Sequence, residues 1–159
     1  MISAKRIVEI FSRRGGGGEI SHLAISLSPE QFAYLRGVTE GEPIVAKVSS
    51  RDEWFVLTKS LAVFKSNREM RRIPFDQIVT VSVPHADMLN ERIKIAGGNL
   101  DIGLRDGTTH RVRVQPGGPY IGVMNVLMRF AKINHRQRLR DGDHGVSPTT
   151  RDQRPTTQL

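Results

Sequence analysis

The feature that most constrains the fold of this chain is a change of period. From Pro43 to Val83 apolar side chains recur in short two-residue patterns, and from Gly118 onward they recur at helical spacing. A period of two places successive side chains on opposite faces of a strand, whereas a spacing of three and four gathers them on one helix face. The runs PIVAKVS (43–49), EWFVLT (53–58), SLAVFKS (60–66), EMRRIPF (69–75) and QIVTVSV (77–83) read as successive strands. Thr58-Lys59-Ser60 and Ser66-Asn67-Arg68 supply turns, and Pro74 belongs at an edge or bulge because it cannot donate a ladder hydrogen bond. RIKIAGG (92–98), NLDIGLR (99–105) and THRVRVQ (109–115) continue the series, with Asp106-Gly107 as a two-residue hairpin signal. Residues 84–91 read as a loop, and 20–27 as a weak strand or extended lead-in.

Three helices are expected. Ser28 is an N-cap, Pro29 suits the first helical position and Gln31 completes a capping box. This helix is about three turns long, with Gly37 as its stop. GPYIGVMNVLMRFAKINHR (118–136) places Val123, Val126, Leu127, Phe130 and Ala131 on one broad apolar face. Near the start of the chain, Ala4, Val8 and Phe11 share a face of a short helix, and Gly15 to Gly18 follow as a flexible joint. The division expected is a basic segment and linker at 1–18, a folded domain at 19–136 and a disordered basic tail at 137–159. On this reading the first segment is tethered to the domain and need not belong to its core.

The order is a short helix, about seven antiparallel strands and one closing helix. The fold class is therefore α+β, mainly β: a strongly bent sheet forming a barrel whose open end an amphipathic helix plugs. This order resembles the pleckstrin-homology-like (PH-like) superfold, and within it bacterial PH-like and GRAM-type domains. The resemblance is carried by GEPIVAKV, EWFVLTKSLAVFKSN and MRRIPFDQIVTVSV, with Leu57-Thr58, Ile73-Pro74-Phe75 and Ile78 at matching places, and it spans about residues 42–135. Where the family often has an arginine after the Leu-Thr turn, Ser60 stands here. The resemblance implies a domain that binds lipid head groups, peptides or proteins. It does not choose among them. The loop KVSSRDEW has Lys47 and Arg51, but Asp52 and Glu53 follow at once, a poor match to phosphoinositide-binding relatives.

Charge bounds the partners. Lys plus Arg number 24 against 16 Asp plus Glu, a net charge of +8, which favours an anionic partner. Lys65, Arg68, Arg71 and Arg72 make a basic edge, with Ile73 and Phe75 toward the core and Arg72 toward solvent. Arg111 and Arg113 alternate with Val112 and Val114 on a second basic face. Both sets are read first as solvated faces whose charges discourage sheet-to-sheet association, and second as anion-binding patches. Arg129, Lys132, Arg136, Arg138 and Arg140 form the densest run, five cations in twelve positions before Asp141. Such a run contacts phosphates or acidic surfaces without selectivity, or simply solubilises a tail. The N-terminal segment offers Ile7, Ile10 and Phe11 to a membrane surface, to a partner or to its own domain.

Catalytic patterns do not emerge. The chain has no cysteine, so thiolate metal sites and disulfides are excluded, and the five histidines (His22, His85, His110, His135 and His144) lack metal-ligand spacing. No phosphate loop, nucleophile elbow or dinucleotide fingerprint occurs. No apolar run approaches the roughly 20 residues that cross a bilayer. The expectation is a non-enzymatic binding or scaffolding module in the cytoplasm, without cofactor, that engages a protein. Peripheral attachment to anionic membranes through the basic termini is the first alternative, and nonspecific nucleic-acid binding the second.

Overall fold

The computed structural model describes residues 2–13, 27–84 and 98–142. Helix α1 (Ala4–Phe11) is followed by α2 (Pro29–Thr39) and strands β1 (Val45–Ser50), β2 (Glu53–Leu57), β3 (Leu61–Ser66) and β4 (Glu69–Pro74). A 3-10 turn (Phe75–Gln77) leads to β5 (Ile78–Ser82), then β6 (Asn99–Leu104), β7 (Thr109–Arg113) and the closing helix α3 (Gly118–Gly142). The expected lead-in strand before Leu27, the loop and strand from 85 to 97, the glycine joint and the tail beyond 142 lie outside the described residues.

The protein is α+β, with two antiparallel sheets and a C-terminal helix. β1 to β4 form a four-stranded sheet in chain order and β5 to β7 a three-stranded one. The strands therefore do not pair around a closed barrel, as the sequence had suggested. The break falls where it is chemically forced: β4 ends on Pro74, which has no N–H to donate, and the 3-10 turn then redirects the chain. Pro74 does occupy the edge strand of its sheet.

Strands β1 to β3 contribute buried residues to both faces of the four-stranded sheet, whereas β4 is exposed apart from Ile73. Val45, Leu57, Phe55, Ala62, Phe64 and Ile73 face the main core, whereas Ala46, Val56, Val63 and Trp54 face a second, smaller core beneath Leu35 of α2. The register sets this division: Ala46 pairs with Val56, Val56 with Val63, and Trp54 with Lys65, on the outer face. Each fully buried Phe, Ile or Leu contributes roughly 1.5–3 kcal/mol. Connections use side chains as well as backbone. Thr58, buried, accepts hydrogen bonds through its hydroxyl from the N–H groups of Ser60 and Leu61, and Asn67 turns the next hairpin with φ 55°. The β6–β7 connection is longer than the two residues expected, running from Arg105 to Thr108, with Gly107 at φ 86°.

α3 closes the space between the sheets. Val123, Val126 and Leu127 are fully buried, and Phe130 stacks on Phe75 at 4.1 Å between ring centroids. The helix is pinned at two levels: Tyr120 donates its hydroxyl to the Asn99 carbonyl, and buried Asn134 donates to the carbonyls of Phe75 and Ile78, both at 2.8 Å. It runs to Gly142, so 137–142 are helical and do not belong to a disordered tail.

Two further expectations are resolved. α1 docks on its own domain, one of the uses expected of it: Ile7, Ile10 and Phe11 are buried in the main core, so this face is spent on the domain itself and is not offered to a membrane. Phe11 lies 6.4 Å from Phe55 and against Gly122 of α3, where a Cβ would sit only 2.5 Å from the ring. The physical reason is size: a helix this short holds its place only if a neighbour buries its apolar side. α2 starts as expected, with Ser28 and Gln31 forming the reciprocal capping box, but it runs past Gly37. Glu40 takes the left-handed conformation at φ 53°, and the Thr39 hydroxyl donates within the last turn to the Leu35 carbonyl.

Candidate functional site

The site is the outer surface of α3. Its inner face is consumed by the core, and from His135 to Gly142 every residue is exposed. Met128, Lys132, His135 and Leu139 follow one another at spacings of four, three and four, which aligns them in a single stripe. Met128 is 49% and Leu139 62% exposed, two of the few large apolar side chains left in water. Arg129, Arg136 and Arg140 flank that stripe, and Arg138 lies on the other side of the helix. Asp141 is the only acidic residue of α3. Among the described residues, none of Arg129, Lys132, Arg136, Arg138 and Arg140 has an ion-pair partner.

The sheet cations differ, because register brings carboxylates to them. Arg111 lies directly across from Asp101 and donates to both carboxylate oxygens, at 2.8 and 3.0 Å. That bond holds the Asp101 carboxyl below its ordinary value, with burial opposing in part. Arg113 lies 4.0 Å from Glu53 of the other sheet. Arg71 pairs with Glu69 and Lys65 with Asp52. Arg72 does face outward, as expected, but its guanidinium donates to the Val38 carbonyl and reaches Glu40, so it clasps the end of α2 to β4. Arg68 joins Arg111 and Arg113 around an open depression of about 530 Å³. The two basic sets read from the sequence are thus redistributed: Arg68 of the first joins Arg111 and Arg113 of the second, Arg72 turns to α2 and Lys65 to the groove below α2.

Sequence reasoning missed Met128 and Leu139 as site residues. Their signal was present, since both lie outside the apolar face formed by Val123, Val126, Leu127 and Phe130 and are three turns apart. Among the described residues no three His, Asp or Glu side chains gather as a metal-binding group, and no helix is long and apolar enough to cross a membrane. Comparison with protein-family models and with curated proteins finds no match for this chain.

Proposed function

We propose that this chain is a non-enzymatic PH-like binding module that engages a protein partner through the exposed stripe of α3. The observation that carries this reading is the coincidence, along the exposed stripe of α3, of apolar side chains with cations that have no ion-pair partner among the described residues. Met128 and Leu139 offer apolar area, while Lys132, Arg129, Arg136 and Arg140 select an acidic surface. An acidic amphipathic segment of a partner, laid along the stripe, satisfies both demands. What favours the PH-like assignment is the element order, antiparallel strands followed by a closing helix, although the strands form two sheets and no closed barrel. The same stripe supports a second reading, peripheral binding to an anionic bilayer, since apolar and basic residues alternate along it.

Pull-down from the native host with wild type, Leu139→Glu and an Arg136→Glu/Arg140→Glu variant separates these readings. An acidic protein captured by wild type and lost from both variants supports the proposal, provided their circular dichroism is unchanged. Equal capture by all three refutes it. Pelleting with anionic vesicles and no protein capture selects the membrane. Gel shifts across a salt series, with a log–log slope near −0.9 per phosphate contact on duplex DNA, would select nucleic acid.

A further inference from the structure

A groove lies on the other side of the molecule, between α2 and the outer face of the four-stranded sheet. It measures about 410 Å³, within the range of ligand sites, and opens to solvent. Leu35 and Val48 line it with Trp54, and Tyr34 stands edge-on to the Trp54 ring at 6.0 Å and 87°. Tyr34 is 52% exposed, an aromatic wall left open beside a buried one. Arg51 and Lys65 line the groove as cations, with Glu30 as the one carboxylate among its lining residues.

Trp54 carries the argument. It is 3% exposed, yet its indole Nε1–H has no hydrogen-bond partner among the described residues. A buried donor without an acceptor is unfavourable, and buried indoles normally find one. The outer-face row Val48, Trp54, Lys65 and Met70 sets this donor next to a cation on the neighbouring strand. A ligand suited to the groove brings an apolar group to fit between Tyr34 and Trp54, an acceptor for the indole and a negative charge for Arg51 and Lys65. Lys65 meets Asp52 at 3.5 Å, but Asp52 is 68% exposed and is readily exchanged for a ligand carboxylate.

We propose that the groove between α2 and the four-stranded sheet binds a peptide segment with one large apolar side chain beside a carboxylate. The apolar side chain enters over Leu35, a peptide carbonyl accepts the Trp54 hydrogen, and the carboxylate meets Arg51 and Lys65. The groove is shallow and takes one or two side chains, which suits a peptide better than a lipid chain. It shares no residue with α3, so it goes beyond the proposed docking stripe and stands or falls separately.

Trp54 is the single tryptophan, so tryptophan emission, excited selectively over tyrosine, reports on this groove. The full chain is titrated with end-blocked peptides Ser-Gly-Asp-Leu-Asp-Gly-Ser and Ser-Gly-Asp-Phe-Asp-Gly-Ser. Controls replace the central residue with alanine or both aspartates with lysine. A saturable change in Trp54 emission with at least one acidic peptide is expected, abolished by the alanine control and weakened about tenfold or more by lysine. Calorimetry then tests Tyr34→Ala, which removes an exposed side chain, and Trp54→Phe, which keeps an aromatic ring and removes the donor. Each should weaken binding by about tenfold, the effect of one lost hydrogen bond or contact, with the thermal unfolding curve retained. No saturable response from either acidic peptide up to about 1 mM, the weakest binding of interest, overturns the assignment. Affinity indifferent to both variants also overturns it. A response to a peptide of residues 143–159 in place of the acidic ones overturns the ligand class and assigns the groove to the chain's own C-terminal segment.

Discussion

Replacing Phe11 tests whether α1 is part of the folded unit. Phe11 is 1% exposed, lies 6.4 Å from Phe55 and touches Gly122. Truncating a core phenylalanine to alanine costs about 3–5 kcal/mol. For a domain of this size that lowers Tm by roughly 6–20 °C, at about 2–4 °C per kcal/mol. Gly122→Ala probes the same contact from the other side. Its Cβ would meet three Phe11 ring carbons at 2.5–2.8 Å, where carbon atoms prefer about 3.5–4.0 Å. The ring must then retreat by roughly 1 Å, an overpacking cost of about 1–3 kcal/mol. Alanine's better helix propensity returns about 1 kcal/mol, so the net loss is about 0–2 kcal/mol. In a Phe11→Leu background the clash is relieved, and Gly122→Ala becomes neutral or stabilising. Urea unfolding of the four proteins should therefore give a coupling energy of about 1–2 kcal/mol. If Phe11→Ala shifts stability by less than about 0.5 kcal/mol, as a surface substitution does, or the two changes simply add, then α1 is not packed as described.

Three further outcomes follow from single residues. Asn134→Ala strands the carbonyls of Phe75 and Ile78 and should cost about 2–4 kcal/mol in chemical unfolding; a loss below about 1 kcal/mol would show that these carbonyls find other donors. In α2, Ser28→Ala should lose about 1 kcal/mol by removing the cap, whereas Gly37→Ala, with open space around its Cβ position, should gain about 0.5–1 kcal/mol by calorimetry; the opposite sign at either position rejects the helix described. Asp101 has its folded-state pKa depressed by Arg111, so its contribution is present above the ordinary aspartate value of about 3.9 and lost as pH falls through the lower folded value. Asp101→Asn should flatten the acid limb of the stability profile below about pH 4, and an unchanged limb contradicts the pairing.

The parts of the fold legible in the sequence are those settled by neighbours along the chain. Ser28, Pro29 and Gln31 announce α2 because a capping box is made by residues three apart. Val123, Val126, Leu127 and Phe130 announce the closing helix because one face must be apolar. What was not legible depends on partners distant in the chain. Arg111 looks free until antiparallel register brings Asp101 opposite it. Arg72 was correctly placed toward solvent, but the carbonyl it clasps is 34 residues away. The burial of α1 was hidden because an amphipathic turn looks the same whether its apolar side meets a core, a partner or a membrane. The run Trp54-Phe55-Val56-Leu57 did hold a clue to the groove, since four consecutive apolar residues imply a strand covered on both faces.

A wall that is oily on both sides carries a hidden hazard. In most half-wet sheets, mispairing by a single step drives oil into water and is rejected at once. Here such a slip would trade Trp54 for Phe55 and Val56 for Leu57, apolar for apolar, and solvent would scarcely object. The alignment of β2 with β3 is left to the corner between them, so that faithful folding of this wall hangs on the Thr58 hydroxyl and the two amides it holds.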